Sequence, residues 1–118
     1  MKIQSISDII TNSSSEVFIC SCNNPKKLAK EVQEFINTLM EMLGYPKDDY
    51  YYSGATVTVA KSDGEINGWG YPYNKGNLLI ESNGENSIPW NVIQILEELE
   101  YFPVFKGKIT NVKRYHLG

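Results

Sequence analysis

Residues 24–44 read NPKKLAKEVQEFINTLMEMLG, and this stretch decides the fold. Its apolar residues recur every three or four positions, which is the spacing of one face of an α-helix. An asparagine can cap the start, Pro25 suits the first turn, and Gly44 marks the end. We predict an amphipathic helix that packs one face on a sheet. The apolar positions are Leu28, Val32, Phe35, Ile36, Leu39 and Leu43.

The chain has 118 residues, which suits one domain spanning 1–118. A domain of this size buries roughly two thirds of its unfolded surface, so it needs no metal or disulfide to fold. No apolar run approaches the ~20 residues needed to cross a bilayer, and the N-terminal residues lack the apolar core of a secretion signal. We therefore expect no membrane association and an intracellular location.

Strand patterns surround the helix. Apolar runs or alternation predict strands over residues 17–20, 50–60, 77–81 and 104–117, and a second helix runs from Pro89 to Leu99. The order strand, helix, strand, strand, helix, strand is the βαββαβ series of ferredoxin-like folds. We predict a single-domain α+β fold with both helices on one face of an antiparallel sheet. The other face would be available to a partner or a second copy.

Residues 62–76 read SDGEINGWGYPYNKG and form an unusually long connection between two strands. Long loops on a rigid scaffold often carry function, and Trp and Tyr provide rigid contact area with a polar tip. We predict a partner-binding surface formed by Trp69, Tyr71, Tyr73, Asp63 and Glu65. The alternative is a flap whose aromatic rings cover the sheet.

Charge is distributed unevenly on an acidic chain. The net charge of −3 argues against direct DNA or RNA binding through phosphate neutralisation. The C-terminal stretch nevertheless contains Lys106, Lys108, Lys113 and Arg114, which form the candidate ligand-binding strip of an alternative function. These cations could equally offset the acidic end of the second helix, which contains Glu97, Glu98 and Glu100.

Three consecutive tyrosines begin the predicted strand over 50–60. Strand alternation would put Tyr50 and Tyr52 on one face and Tyr51 on the other. An aromatic sheet face can stack bases, but Asp48 and Asp49 are poor neighbours for phosphates. Packing in the core or in a homodimer is the favoured interpretation.

Metal and catalytic chemistry have few candidate residues. Cys20 and Cys22 lie two apart on a strand, a spacing that rarely suits a disulfide, so we predict two thiols. A closed zinc site needs four ligands, and only His116 could join them. His116 could pair with Ser13, Ser14, Ser15 or Cys20, but no third group would orient it. We expect no catalytic residues, no metal, no cofactor and no enzymatic activity.

Residues 11–18 read TNSSSEVF, a polar run that leads directly into a strand. This segment resembles an N-terminal segment found in many small, uncharacterised proteins of bacteriophages and of mobile elements in gut bacteria. The resemblance implies a phage or mobile-element source and a location in the cytoplasm of a bacterial host. It identifies no functional residue. It suggests an interaction protein that binds a host protein, such as an anti-CRISPR-like, counter-defence inhibitor.

Two other functions are compatible with the sequence. One is a nucleotide or oligonucleotide binder, including a sponge for signalling nucleotides, that combines the aromatic loop with the basic strip. The other is a minor virion or assembly component. In a nucleotide binder the basic residues should converge on the aromatic rings, whereas in a protein-binding inhibitor they should avoid them.

Overall fold

The computed structural model describes residues 15–46, 51–66 and 68–117. Most of the TNSSS segment, with Ser13 and Ser14, and the first of the three tyrosines, Tyr50, lie outside these ranges. The helices are α1 (Pro25–Met42) and α2 (Trp90–Glu97), the latter followed by a 3₁₀ turn at Leu99–Tyr101. The strands are β1 (Ser15–Cys22), β2 (Ala55–Val59), β3 (Gly64–Glu65), β4 (Pro72–Tyr73), β5 (Leu78–Ser82) and β6 (Ile109–Leu117).

The main sheet has four strands in the order β2-β5-β1-β6, and every neighbouring pair is antiparallel. The strands β3 and β4 pair separately as a small hairpin between β2 and β5. The predicted α+β class and antiparallel sheet are therefore confirmed. Because β3 and β4 are inserted between β2 and β5, the element order is not the simple βαββαβ series of ferredoxin-like folds.

Both helices pack on the same face of the main sheet, as predicted. The amphipathic pattern of α1 buries Leu28, Val32 and Ile36 against this face. The shorter α2 adds its own apolar side to the same core. The remaining buried members of this core include Phe18, Cys20, Leu78, Ile80, Val92, Ile93, Leu96, Leu99, Phe105 and Ile109.

The start of α1 differs in one detail from the prediction. Pro25 occupies the first turn, but the side chain of Asn24 makes no capping hydrogen bond, so the predicted side-chain cap is wrong. The Asn24 carbonyl instead accepts a hydrogen bond from the Leu28 amide at 2.9 Å. At the other end Gly44 has a φ of 89°, a left-handed conformation that suits glycine and ends the helix.

Two predicted strands begin later than expected. The strand predicted over 50–60 begins at Ala55, because Gly54 has a φ of 82° and its amide donates to the Ser87 carbonyl. Tyr51 and Tyr52 therefore precede the strand, and the predicted alternation of the tyrosines is wrong for them. The strand predicted over 104–117 begins at Ile109, because consecutive turns occupy the residues before it.

The reverse face of the sheet is covered, which corrects the expectation that it would be available to a partner. Residues 61–66 and 68–76 fold back over this face and include the hairpin β3–β4. Val17, Ile19 and Leu79 are buried there with Ala60 and Ile66. The sheet thus has a core on each side, one under the helices and a smaller one under the flap, which we define as residues 61–66 and 68–76.

A bulge in β6 decides which of its side chains meet which core. Ser21 pairs with Thr110 and Ile19 pairs with Lys113, so β6 spans three residue steps where β1 spans two. Asn111 lies in this stretch with a φ of 54°, a left-handed conformation that asparagine tolerates. The Glu100 carboxylate accepts a hydrogen bond from the backbone amide of the following residue, Val112, at 3.2 Å. Because side chains alternate along a strand, the extra residue places Arg114 on the helix-covered face.

The outer edge of β2 is capped by a side chain from α1. The Gln33 amide nitrogen donates to the Ala55 carbonyl at 2.9 Å, and its oxygen accepts the Val57 amide at 2.9 Å. This carboxamide makes the two bonds that a neighbouring strand would make. Exposed strand edges otherwise pair with other chains, so Gln33 protects this edge from self-association.

We expect Gln33→Ala to lower the free energy of unfolding by about 1–2 kcal/mol and to promote association through β2. Gln94→Ala is the matched control, because Gln94 is an exposed glutamine on the other helix. Chemical denaturation and light scattering measure the two effects. Equal behaviour of the two variants would contradict a protective role for Gln33.

Candidate recognition site

A concavity lies beside the start of α2. It has a volume of about 730 Å³ and is called here the aromatic cleft. Its aromatic side chains are Tyr45, Tyr51, Tyr52 and Trp90, and Asn86, Ile88, Pro89 and Asn91 complete its lining. An apolar concavity with a few polar groups is the usual form of a binding site.

Local structure explains why these rings stand at the surface. Pro89 is buried and extended, with φ −63° and ψ 151°, and it starts α2 with Trp90 as the first helical residue. The core of α2 is formed by Val92, Ile93 and Leu96, whereas the Trp90 ring is 58% exposed. Tyr51 is 70% exposed. Tyr45 and Tyr52 contact each other with ring centroids 4.6 Å apart.

Arg114 holds the Trp90 ring from the sheet side. The guanidinium carbon lies 5.2 Å from the centre of the ring, within the range of a cation–π contact. Such contacts stabilise by about 0.5–1 kcal/mol at exposed sites. The Trp90 ring is therefore exposed to solvent and in contact with the Arg114 guanidinium.

Arg114 is itself held by the buried carboxylate of Glu16. Its Nε donates to Oε1 at 2.7 Å and its Nη2 donates to Oε2 at 3.2 Å, in a two-pronged ion pair. Glu97, at the end of α2, accepts from Nη1 at 3.3 Å. The pKa of Arg114 is raised, chiefly by its hydrogen bond to Glu16. The guanidinium thus stays charged and joins β1, β6 and α2.

His116 contacts the same carboxylate, because it is paired directly with Glu16 in the sheet. Its Nδ1 lies 2.5 Å from Oε2 of Glu16. The backbone amide of Glu16 donates to the Ser82 hydroxyl at 3.0 Å. Cys20 lies four residues along the strand, about 13 Å away. The pairing of His116 with Cys20 considered above is therefore wrong.

We expect Glu16→Gln to lower the free energy of unfolding by about 2–3 kcal/mol, because the hydrogen bonds to Arg114 lose the carboxylate charge. Glu31→Gln is the control, since the Lys27–Glu31 pair is exposed at 3.8 Å and should contribute about 0.5 kcal/mol or less. Urea denaturation measures both values. An equally small effect at Glu16 would show that the buried pair does not organise the site.

The predicted partner-binding residues lie on the opposite side of the sheet, in the flap. The Trp69 and Tyr71 rings are stacked with centroids 6.5 Å apart, and Tyr71 stacks on Tyr115 of β6 at 4.1 Å. All three rings and that of Tyr73 are half-buried against the smaller core. The packing agrees with the alternative of a covering flap. A binding role for this surface stays a prediction.

The two predicted acidic residues of the flap have different surroundings. Asp63 is exposed, and its carboxylate accepts the Lys75 amide at 2.7 Å, which closes the base of the flap. Glu65 is exposed in β3. Asp63 therefore has a structural contact, whereas Glu65 lies on the solvent side of the hairpin.

The predicted basic strip is divided by the sheet. Lys113 and Arg114 are neighbours on β6 and so lie on opposite faces, Lys113 on the side of the stacked rings. Lys106 and Lys108 are exposed in the turns that precede β6. Arg114 pairs with Glu97, so the prediction that this stretch offsets the acidic end of α2 is confirmed for that residue. The four cations do not converge on the flap rings.

The cysteines are thiols, as predicted. Burial raises the pKa of Cys20 to about 12, with smaller contributions from Cys22 and Glu100. Burial also raises the pKa of Cys22, which is only partly enclosed. In the described part of the chain, no group of three or more His, Cys, Asp or Glu residues is placed to hold a metal ion.

We expect iodoacetamide at pH 8 to modify Cys22 before Cys20 in the folded protein, and both more slowly than in the unfolded chain. A thiol reacts as its thiolate, and the raised pKa of Cys20 leaves it almost wholly protonated at this pH. Peptide mapping by mass spectrometry with and without urea measures the order. Faster modification of Cys20 would contradict its burial.

No family model, curated protein or solved structure matches this chain significantly. None of the helices within the described ranges is long and apolar enough to span a membrane. Sequence reasoning missed Glu16 and Trp90, although a charged residue inside an apolar strand and a tryptophan directly after Pro89 were visible signals.

Proposed function

We propose that this protein is a non-enzymatic interaction protein and that it binds a host protein through the aromatic cleft. The observation that carries this proposal is the exposed Trp90 ring, held from behind by Arg114 and Glu16. The resemblance of residues 11–18 to phage and mobile-element proteins supports a viral or mobile-element source and action in the bacterial cytoplasm.

The composition of the cleft supports protein recognition. Trp, Tyr and Arg dominate the residues that contribute most to protein–protein binding, since each combines a large contact area with a polar group. Trp90, Tyr51 and Tyr52 provide this area here, and the ring of Trp90 is held before any partner arrives. A side chain held in advance loses less conformational entropy on binding, so more of the contact energy appears as affinity.

The charge distribution supports a protein partner over a nucleic acid. The chain carries a net charge of −3, and its single guanidinium, that of Arg114, contacts Trp90 but is paired with Glu16 and Glu97. A phosphate would have to compete with these carboxylates. We propose a counter-defence role for the complex, in which occupation of a host defence protein inhibits it.

We expect Trp90→Ala and Tyr51→Ala each to reduce capture of the partner at least tenfold, in the range of binding hot spots. The tagged protein is incubated with lysate of a bacterial host, and captured proteins are quantified by mass spectrometry. Tyr101→Ala is the matched control, because Tyr101 is 66% exposed and does not line the cleft. Circular dichroism verifies that each variant is folded.

A flap variant separates the two candidate surfaces. Tyr71→Ala removes the centre of the ring stack on the reverse face. If the folded Tyr71 variant loses a partner that the Trp90 variant keeps, the flap is the binding surface and the cleft is not. If the cleft and Tyr101 variants capture the same proteins equally, the proposed function is wrong.

A further inference from the structure

A second concavity adjoins the aromatic cleft. It has a volume of about 230 Å³ and shares Tyr45 and Tyr52 with the cleft, so the two concavities meet at this pair of rings and are together called here the groove. The second part is called here the polar end. Its other lining residues are Asn37, Thr38, Met40, Glu41, Pro46, Ser53 and Gly54.

The two parts of the groove differ in chemistry. The aromatic cleft is lined by rings, Pro89, Ile88 and two asparagines, with no acidic or basic side chain among its described lining residues. The polar end contains the exposed carboxylate of Glu41, on the last turn of α1, next to the amide of Asn37 and the hydroxyl of Thr38. A matching ligand is therefore apolar over most of its length and cationic at one end.

A polyproline II segment fits the aromatic part. This conformation is extended, forms no internal hydrogen bonds and is largely preformed in proline-rich chains, so binding it costs little ordering entropy. Known readers of such segments use grooves lined by aromatic rings, between which the proline rings pack. The carbonyl groups of the segment need donors, and the side-chain amides of Asn86 and Asn91 are among the residues that line this cleft.

We propose that the groove binds an extended, proline-containing segment of the partner, with its prolines between Trp90 and the Tyr45–Tyr52 pair and a lysine or arginine at Glu41. The inference rests on the proposed function, because it names the part of the partner that the cleft recognises. Charge complementarity supports the choice, since Glu41 is the one acidic or basic side chain among the described residues that line the groove.

The probe is a pair of synthetic peptides of about eight residues, each with a run of four prolines. One peptide has an arginine at its N-terminal end and the other at its C-terminal end, so that both chain directions in the groove are tested. Eight residues of polyproline II span about 25 Å, which fits within the 39 Å longest dimension of the described protein. Binding is followed by tryptophan fluorescence in a Trp69→Phe background, so that Trp90 reports alone, and by NMR chemical-shift mapping.

We expect one of the two peptides to bind and to shift Trp90 and residues of the polar end. Trp90→Ala should weaken binding about 30-fold or more, measured by NMR. Glu41→Gln should weaken binding of the arginine peptide about two- to fivefold and leave a peptide with glutamine in place of arginine unchanged. Glu34→Gln is the matched control, because Glu34 is exposed on α1 and does not line the groove.

Three results would overturn the inference. The first is that neither peptide binds, and the second is that a peptide with alanine in place of every proline binds equally well. The third is a self-associating protein whose dimer is lost on Trp90→Ala, since the occupant would then be a second copy. If neither peptide binds while capture of a partner from lysate still depends on Trp90, the proposed function stands. The partner would then be recognised through something other than a proline-containing segment.

Discussion

A buried carboxylate organises one end of this molecule. Glu16 lies in an apolar strand, and a carboxylate taken out of water is costly unless a cation and hydrogen-bond donors meet it. Arg114 meets it with two hydrogen bonds, and His116 approaches from the next position on the same face. The bulge at Asn111 determines which side chains of β6 face the helices. It places Arg114 and His116 on the same face as Glu16.

The same arrangement connects the interior to the surface. Arg114 extends from the buried pair to Glu97 and to the ring of Trp90, so one guanidinium joins two strands, the end of α2 and the aromatic cleft. Removing the carboxylate would therefore affect stability and the placement of Trp90 together. The flap covers a second core on the reverse face, whereas the aromatic cleft and its polar end lie beside the start of α2 and the end of α1.

Much of the fold could be predicted from local patterns. The 3.6-residue period of α1, the short apolar run of β1 and the alternation of β2 each indicate one element, because burial of one face imposes the period. The bounds of β2 and β6 were less predictable, since Gly54 and the turns before Ile109 interrupt segments with strand propensity. The flap was identified as unusual, but its packing on the reverse face depends on contacts with Ile19 and Tyr115 that are remote in the chain.

The sequence by itself determined an α+β domain with one strongly amphipathic helix, two thiols and an acidic net charge, because composition and periodicity act locally. Only the tertiary structure decided the site. Glu16 and Arg114 are 98 residues apart in the chain and meet through strand pairing, and a single bulge residue determines the face on which they meet. The role proposed for Trp90 depends on the same long-range contact, since its exposure and the Arg114 guanidinium distinguish it from an ordinary helical residue.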